Sequence, residues 1–125
     1  SAWAGRLGEV VELDLDVSNG GGSVDRIGIE VSVRAEAHHV RPLEAIIGAD
    51  NAAFSHGPVY RAEISGVMAP AISDTTSSEL QPSTSHVRLR FQAVSVGQSL
   101  VEIRVVLHQG RDSATALQGR TFSVS

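Results

Sequence analysis

Cysteine is absent from this chain, which removes a disulfide framework, a thiol nucleophile and a thiolate metal site together and leaves the redox compartment open. Lysine is absent as well: all ten basic residues are arginine, the bias of a GC-rich genome, and no functional weight rests on it. Aromatics are scarce. One Trp, one Tyr and three Phe are about enough to fill a core and too few for the exposed coplanar rings on which a carbohydrate platform relies. Positive charge is not in excess either. Ten Lys+Arg against 14 Asp+Glu give a net charge of -4 and a pI near 5.6, so the electrostatic footprint expected of a nucleic-acid or anionic-membrane binder is missing. No apolar run approaches the roughly 18 to 20 residues of a membrane span, and Ser1-Ala2-Trp3 has neither the basic nor the apolar region of a signal peptide. The chain reads as an excised module of a larger protein, with membrane insertion not expected.

What the sequence has is alternation. In His86 to Gln109, Val87, Leu89, Phe91 and Ala93 fall on one face of a period-two strand, with Arg88, Arg90 and Gln92 on the other. Val101, Ile103, Val105 and Leu107 repeat the pattern after a crossing that contains Gly97. This is the signature of sheets with one dry side. Direct pairing of the two strands about Gly97 would set Arg90 opposite Arg104, a like-charge contact that costs up to roughly 1 kcal/mol. An arch is therefore favoured, with Val94 to Ser99 leading from one sheet into the facing one, so that both odd-numbered apolar sets meet in a shared core.

The rest of the chain extends that plan. Trp3 is expected to cap one end of the core. Val11, Leu13, Leu15 and Val17 alternate with Glu12, Asp14 and Asp16, a first strand with an acidic outer face, and Ser18 to Ser23 follows as a glycine-rich loop. Ile27 to Ala35 is the second long strand. Leu43 to Ile47 after Pro42 admits a strand or a single helical turn, with the strand preferred; Val59 to Ser65 reads as a strand, and Ser73 to Ser85, dense in Ser and Thr, reads as a loop. Gln109 to Asp112 forms a turn, and Ala114 to Val124 closes the core through Phe122 and Val124, with Gly119 a bulge or break. The expected fold is all-β: a single β-sandwich domain over residues 1–125, of about seven to nine antiparallel strands, immunoglobulin-like or cohesin-like.

No constellation points to catalysis. His38 and His39 are adjacent, so on a strand they face opposite ways and cannot chelate together. No HExxH or other zinc spacing occurs, and no metal or cofactor is expected. Asp14, Asp16 and Asn19 fail the spacing of a calcium loop. Ser18 to Ser23 lacks the spaced glycines and Lys-Ser/Thr of a phosphate loop, and GxSxG is absent. Glu12, Asp14 and Asp16 along one strand read as a solvated charged face rather than an acid/base pair. The protein is not expected to be an enzyme.

Two resemblances bear on function. VRLRFQAVSVGQSLVEIRV, residues 87–105, resembles the penultimate part of bacterial immunoglobulin-like and cohesin-like modules, and GEVVELDLDVSNGGGSVDRIGIEVSV is similar to the opening of cohesin-like modules. Ala35-Glu36-Ala37 departs from the Tyr-Asp step found there, and Val40 to Ser85 is unmatched. Because cohesins bind dockerin partners through a sheet face, this likeness implies a non-catalytic interaction or scaffolding module with a protein partner, in an extracellular or cell-surface setting. The ending RVVLHQGRDSATALQGRTFSV resembles accessory sandwich domains of bacterial caspase-like and other conflict-system proteins, which implies an intracellular module instead. A carbohydrate-binding module is the alternative from a different class. The candidate partner-binding residues are Glu102, Arg104, Val106 and His108 on one outer face, joined by Thr121 and Ser123 if the last strand pairs beside them, and Arg88 and Arg90 on the opposite outer face.

Overall fold

A computed structural model describes residues 3–19, 26–35, 39–67, 69–70, 83–109 and 111–125. Seven of its strands are long: β2 (Val10–Asn19), β3 (Arg26–Ala35), β4 (Val40–Ile47), β6 (Tyr60–Val67), β8 (Ser83–Ala93), β9 (Gly97–Gln109) and β10 (Asp112–Val124). They correspond to the seven segments read as strands, six from their patterning and Leu43 to Ile47 from a short apolar run. Three short strands add to them: β1 (Trp3–Gly5), β5 (Asp50–Ala53) and β7 (Ala69–Pro70). One sheet runs β1-β10-β9-β3-β6 and the other β2-β8-β4-β5, with β7 beside β8. Among the described residues the antiparallel plan has one exception: β1 lies parallel to β10, Trp3 opposite Phe122.

β8 and β9 belong to different sheets, so Val94 to Val96 is an arch and Arg90 never meets Arg104. The arch is held at its turn. His39 O accepts the Val94 amide at 2.8 Å, and His39 Nδ1 lies 2.7 Å from Ser95 Oγ. The His39 ring sits where a side chain on Gly97 would be: a Cβ there would come within 2.6 Å of the ring, and the residue's φ is +144°. Only glycine fits that position without strain.

The odd-numbered residues of both arch strands point inward, as the alternation requires. Val87, Leu89, Phe91, Ala93, Val101, Ile103, Val105 and Leu107 are all buried, and Ile27, Ile29, Val31 and Val33 of β3 complete the floor. Trp3 closes one end, its ring edge-on to Phe91 and Phe122 at centroid distances of 5.1 and 4.6 Å. This is the cap expected of it.

β4 hides its alternation because it changes parity. Val40 and Pro42 are buried on the even positions, Ala45 and Ile47 on the odd ones, and the switch occurs at a bulge between Pro42 and Glu44 in the ladder with β8. The extra residue, Leu43, turns its carbonyl to the Phe54 amide at 3.0 Å. β4 then returns as β5 through Gly48-Ala49, Gly48 having a φ of +58°. Gly119, by contrast, is neither a bulge nor a break. It pairs with Glu102 in a ladder that runs in register from Asp112 to Val124, because a long partner strand keeps the glycine extended. Ser18 and Asn19 extend β2, and Ser83 to Ser85 begin β8; the remainder of the two expected loops lies outside the described residues, as do His38 and Gly110.

Candidate interaction surfaces

The outer face of the β8 sheet carries the acidic stripe and the arginine stripe together. The β2–β8 register sets Glu12 opposite Arg90, Asp14 opposite Arg88 and Asp16 opposite His86. Arg88 Nε donates to Asp14 Oδ1 at 3.0 Å and lies 3.4 Å from Glu12. Arg90 donates through Nη1 to Glu44 of β4 at 2.9 Å. His86 Nδ1 lies 2.8 Å from Asp16 Oδ1, and its Nε2 lies 3.4 Å from Asp14. Opposite charges directly across a ladder attract, and the titration of the groups follows. The hydrogen bond from Arg88 holds the Asp14 carboxyl below its usual range. The hydrogen bond to Asp16, helped by the charge of Asp14, raises His86. Asp14 in turn raises Arg88. Arg88 and Arg90, candidates for docking an acidic partner, are thus engaged by acids of their own chain. A partner would have to displace those carboxylates.

The outer face of the β9 sheet is built differently. Glu102, Arg104, Val106 and His108 share it, and the β10 register brings Thr121 and Ser123 to the same side. From β3, Arg34 stands opposite Glu102, Ser32 opposite Arg104 and Glu30 opposite Val106. From β6 come Arg61 beside Ser32 and Glu63 beside Glu30. Ion pairing is sparse here. Among the described residues the face has one, His108 Nε2 to Glu30 Oε2 at 3.8 Å, and the pair would carry charge on both sides only with the imidazole protonated. Arg34, Arg61, Arg104 and Glu102 line a shallow depression of about 490 Å³ that Leu117 borders. Leu117 is 70% exposed, Leu100 on the same face 38%, and Val106 is half-buried.

Sequence reasoning reached Glu102, Arg104, Val106 and His108 through the parity of a single strand. It missed Arg34, Arg61 and Leu117, because their joining this face depends on which strands flank β9. The signal that could have found Leu117 is its break of the small-polar run Ser113 to Gly119.

All five aromatic side chains are accounted for by the core. Phe54, Phe91 and Phe122 are buried in it, and Trp3 and Tyr60 pack against it. None is left flat on either face to stack a sugar. Among the described residues no group of three His, Asp or Glu side chains is arranged to hold a metal ion, and no helix is long and apolar enough to cross a membrane. The contact between His39 and Ser95 bridges the arch and its neighbouring segment at half-buried positions.

No family model matches the sequence, and the search of curated proteins returns no match. Among solved structures, the ASH/PapD-like domain of human CEP192 (PapD-like domain 7) is similar, with 14% sequence identity and a TM-score of 0.48 over 100% of this chain and 82% of that chain. Nothing about surface or partner follows from a likeness of that size.

Proposed function

We propose that the chain is a non-catalytic protein-interaction module whose partner docks on the outer face of the β9 sheet. One contrast between the two faces carries the reading. The β8 sheet spends its charges on one another, whereas the arginines Arg34, Arg61 and Arg104 that line the depression beside Val106's strand have no ion-pair partner among the described residues and border the exposed Leu117. An apolar centre within a polar rim is how small protein interfaces are built, and unpaired rim charges steer and select the partner more than they bind it. The excess of arginine over Glu102 in the depression suits a partner with acidic residues flanking an apolar one.

The likeness of the sequence to cohesin-like modules supports a finer form of this reading, in which the partner is a dockerin-like domain in a bacterial surface assembly. The likeness of its ending to accessory domains of conflict-system proteins supports a module that positions an intracellular effector. A sugar-binding module is the weaker alternative, since no ring is available to stack.

The test is a photo-crosslinking residue placed at Arg104 or at Arg88 in the parent protein, with and without Val106→Glu. The expected result is an adduct with a different protein from position 104, absent from position 88 and lost with Val106→Glu. Adducts from position 88 alone would overturn the choice of face. No protein adduct at either position, together with binding to a glycan array, would replace the reading with the sugar-binding one.

A further inference from the structure

Among the described residues the last strand has an open side. β10 pairs with β9 along its whole length, but on its other edge β1 covers only Phe122 to Val124. Among the described residues nothing pairs there with residues 112–121. Such an edge offers a row of backbone donors and acceptors to another strand, and proteins usually guard it with charges, proline, a bulge or a cover. From Ser113 to Gly119 this edge has no charge, no proline and no bulge. Ser113 through Thr121 are all exposed. Beneath it, between β10 and β2, opens a groove of about 310 Å³ with Leu15, Val17, Val105, Leu107, Ala114 and Ala116 in its walls.

We infer that this edge pairs with the same edge of a second copy of the chain, antiparallel and two-fold about Leu117. The pleat decides which registers are possible: facing residues must lie on the same side of the sheet, so the two numbers in each pair must have an even sum. Centring on Leu117 sets Thr115 of one copy against Gly119 of the other, Ser113 against Thr121, Ala116 against Gln118 and Ala114 against Arg120. No like charges meet. The two Leu117 side chains, the most exposed large hydrophobics of the described residues, cover each other at the axis. The pairing ends where the next residue, Asp112, would reach Phe122, an edge position already taken by Trp3 of β1. The most exposed leucine thus stands at the middle of the uncovered stretch, where the same leucine of a second copy would cover it, which is the argument for a second copy over an unrelated strand. A two-fold contact of this kind is isologous and closes at a dimer. It uses a strand edge rather than the sheet surface of the docking face, and Leu117 lies on the border of both.

Because the chain has no cysteine, single-cysteine variants read the register directly. Directly opposed residues of an antiparallel pair have Cα atoms about 4.5 to 5.5 Å apart, within disulfide range. Under mild oxidation the 125-residue chain with Leu117→Cys should become disulfide-linked at least tenfold faster than with Ser113→Cys or Ala116→Cys. The unmodified chain should double its mass in sedimentation equilibrium between about 1 µM and 1 mM, the weak range suited to a small interface. Leu117→Lys, which places two ammonium groups on the axis, should abolish the doubling without lowering the melting temperature, whereas Val106→Glu should leave it intact. A monomer at 1 mM, faster linkage through Ala116→Cys, or doubling that survives Leu117→Lys would each overturn the inference.

Discussion

Phe91→Ala tests the sandwich at its centre. The ring is fully buried, stands across from Val11 of β2 on one side and Pro42 of β4 on the other, and meets the edge of Trp3 at an interplanar angle of 77°. Truncating a buried phenylalanine costs about 3 to 5 kcal/mol through lost transfer energy and the cavity left behind. The upper half of that range is expected here. Strands on both sides prevent collapse, and the edge-to-face contact is itself worth about 0.5 to 1.5 kcal/mol. A loss of about 4 kcal/mol is a large share of the roughly 5 to 15 kcal/mol that domains possess. At about 2.1 cal/mol/K per residue, the unfolding entropy of 125 residues is roughly 260 cal/mol/K, so the melting temperature should fall by about 15 °C. Urea melts followed by Trp3 fluorescence measure both the stability and the site, because this single tryptophan touches the deleted ring and its native emission should shift to the red. Leu89→Ala, buried in the same strand, should cost about 2 to 5 kcal/mol, while Arg88→Ala on the exposed side should cost little. Similar small losses at all three positions would refute the assignment of inward and outward faces.

The charge ladder predicts a pH dependence. His86 is raised above its ordinary value of 6.5, so its contribution is fully present below 6.5 and fades as pH rises through the folded-state pKa; the melting temperatures of the unmodified chain and of His86→Gln should converge across that window. Asp14 is lowered from 3.8, so its contribution is present above 3.8 and is lost as pH falls through the folded-state value, which Asp14→Asn should reveal as a flatter acid limb in the same measurement. Gly97→Ala forces a side chain into a positive φ and against the His39 ring. A loss of about 1 to 3 kcal/mol is expected in denaturant melts, partly restored by His39→Ala in the double variant, and additivity of the two losses would disprove the contact.

Alternation determined the long strands other than β4 and their inward faces, because a period of two leaves no choice once one side of a strand must be dry. The arch was legible as well, through the penalty of placing Arg90 opposite Arg104. Three features were not legible. β1 and β5 are too short or too polar to show a period. β4 shifts parity at Leu43, which scrambles the pattern of Val40 to Ile47. Gly119 reads as a break until the long ladder with β9 holds it straight. The surfaces divide in the same way. The sequence placed Arg88, Arg90, Glu102, Arg104, Val106 and His108 on outward faces, because facing is a local property. Whether an outward charge is free or engaged is decided by the strand next to it, and strand order is set by long-range pairing. Only the tertiary structure brought Glu12, Asp14 and Glu44 onto the arginines of β8, set Arg34 and Arg61 beside Arg104, and left the edge of β10 uncovered by any described strand beyond β1.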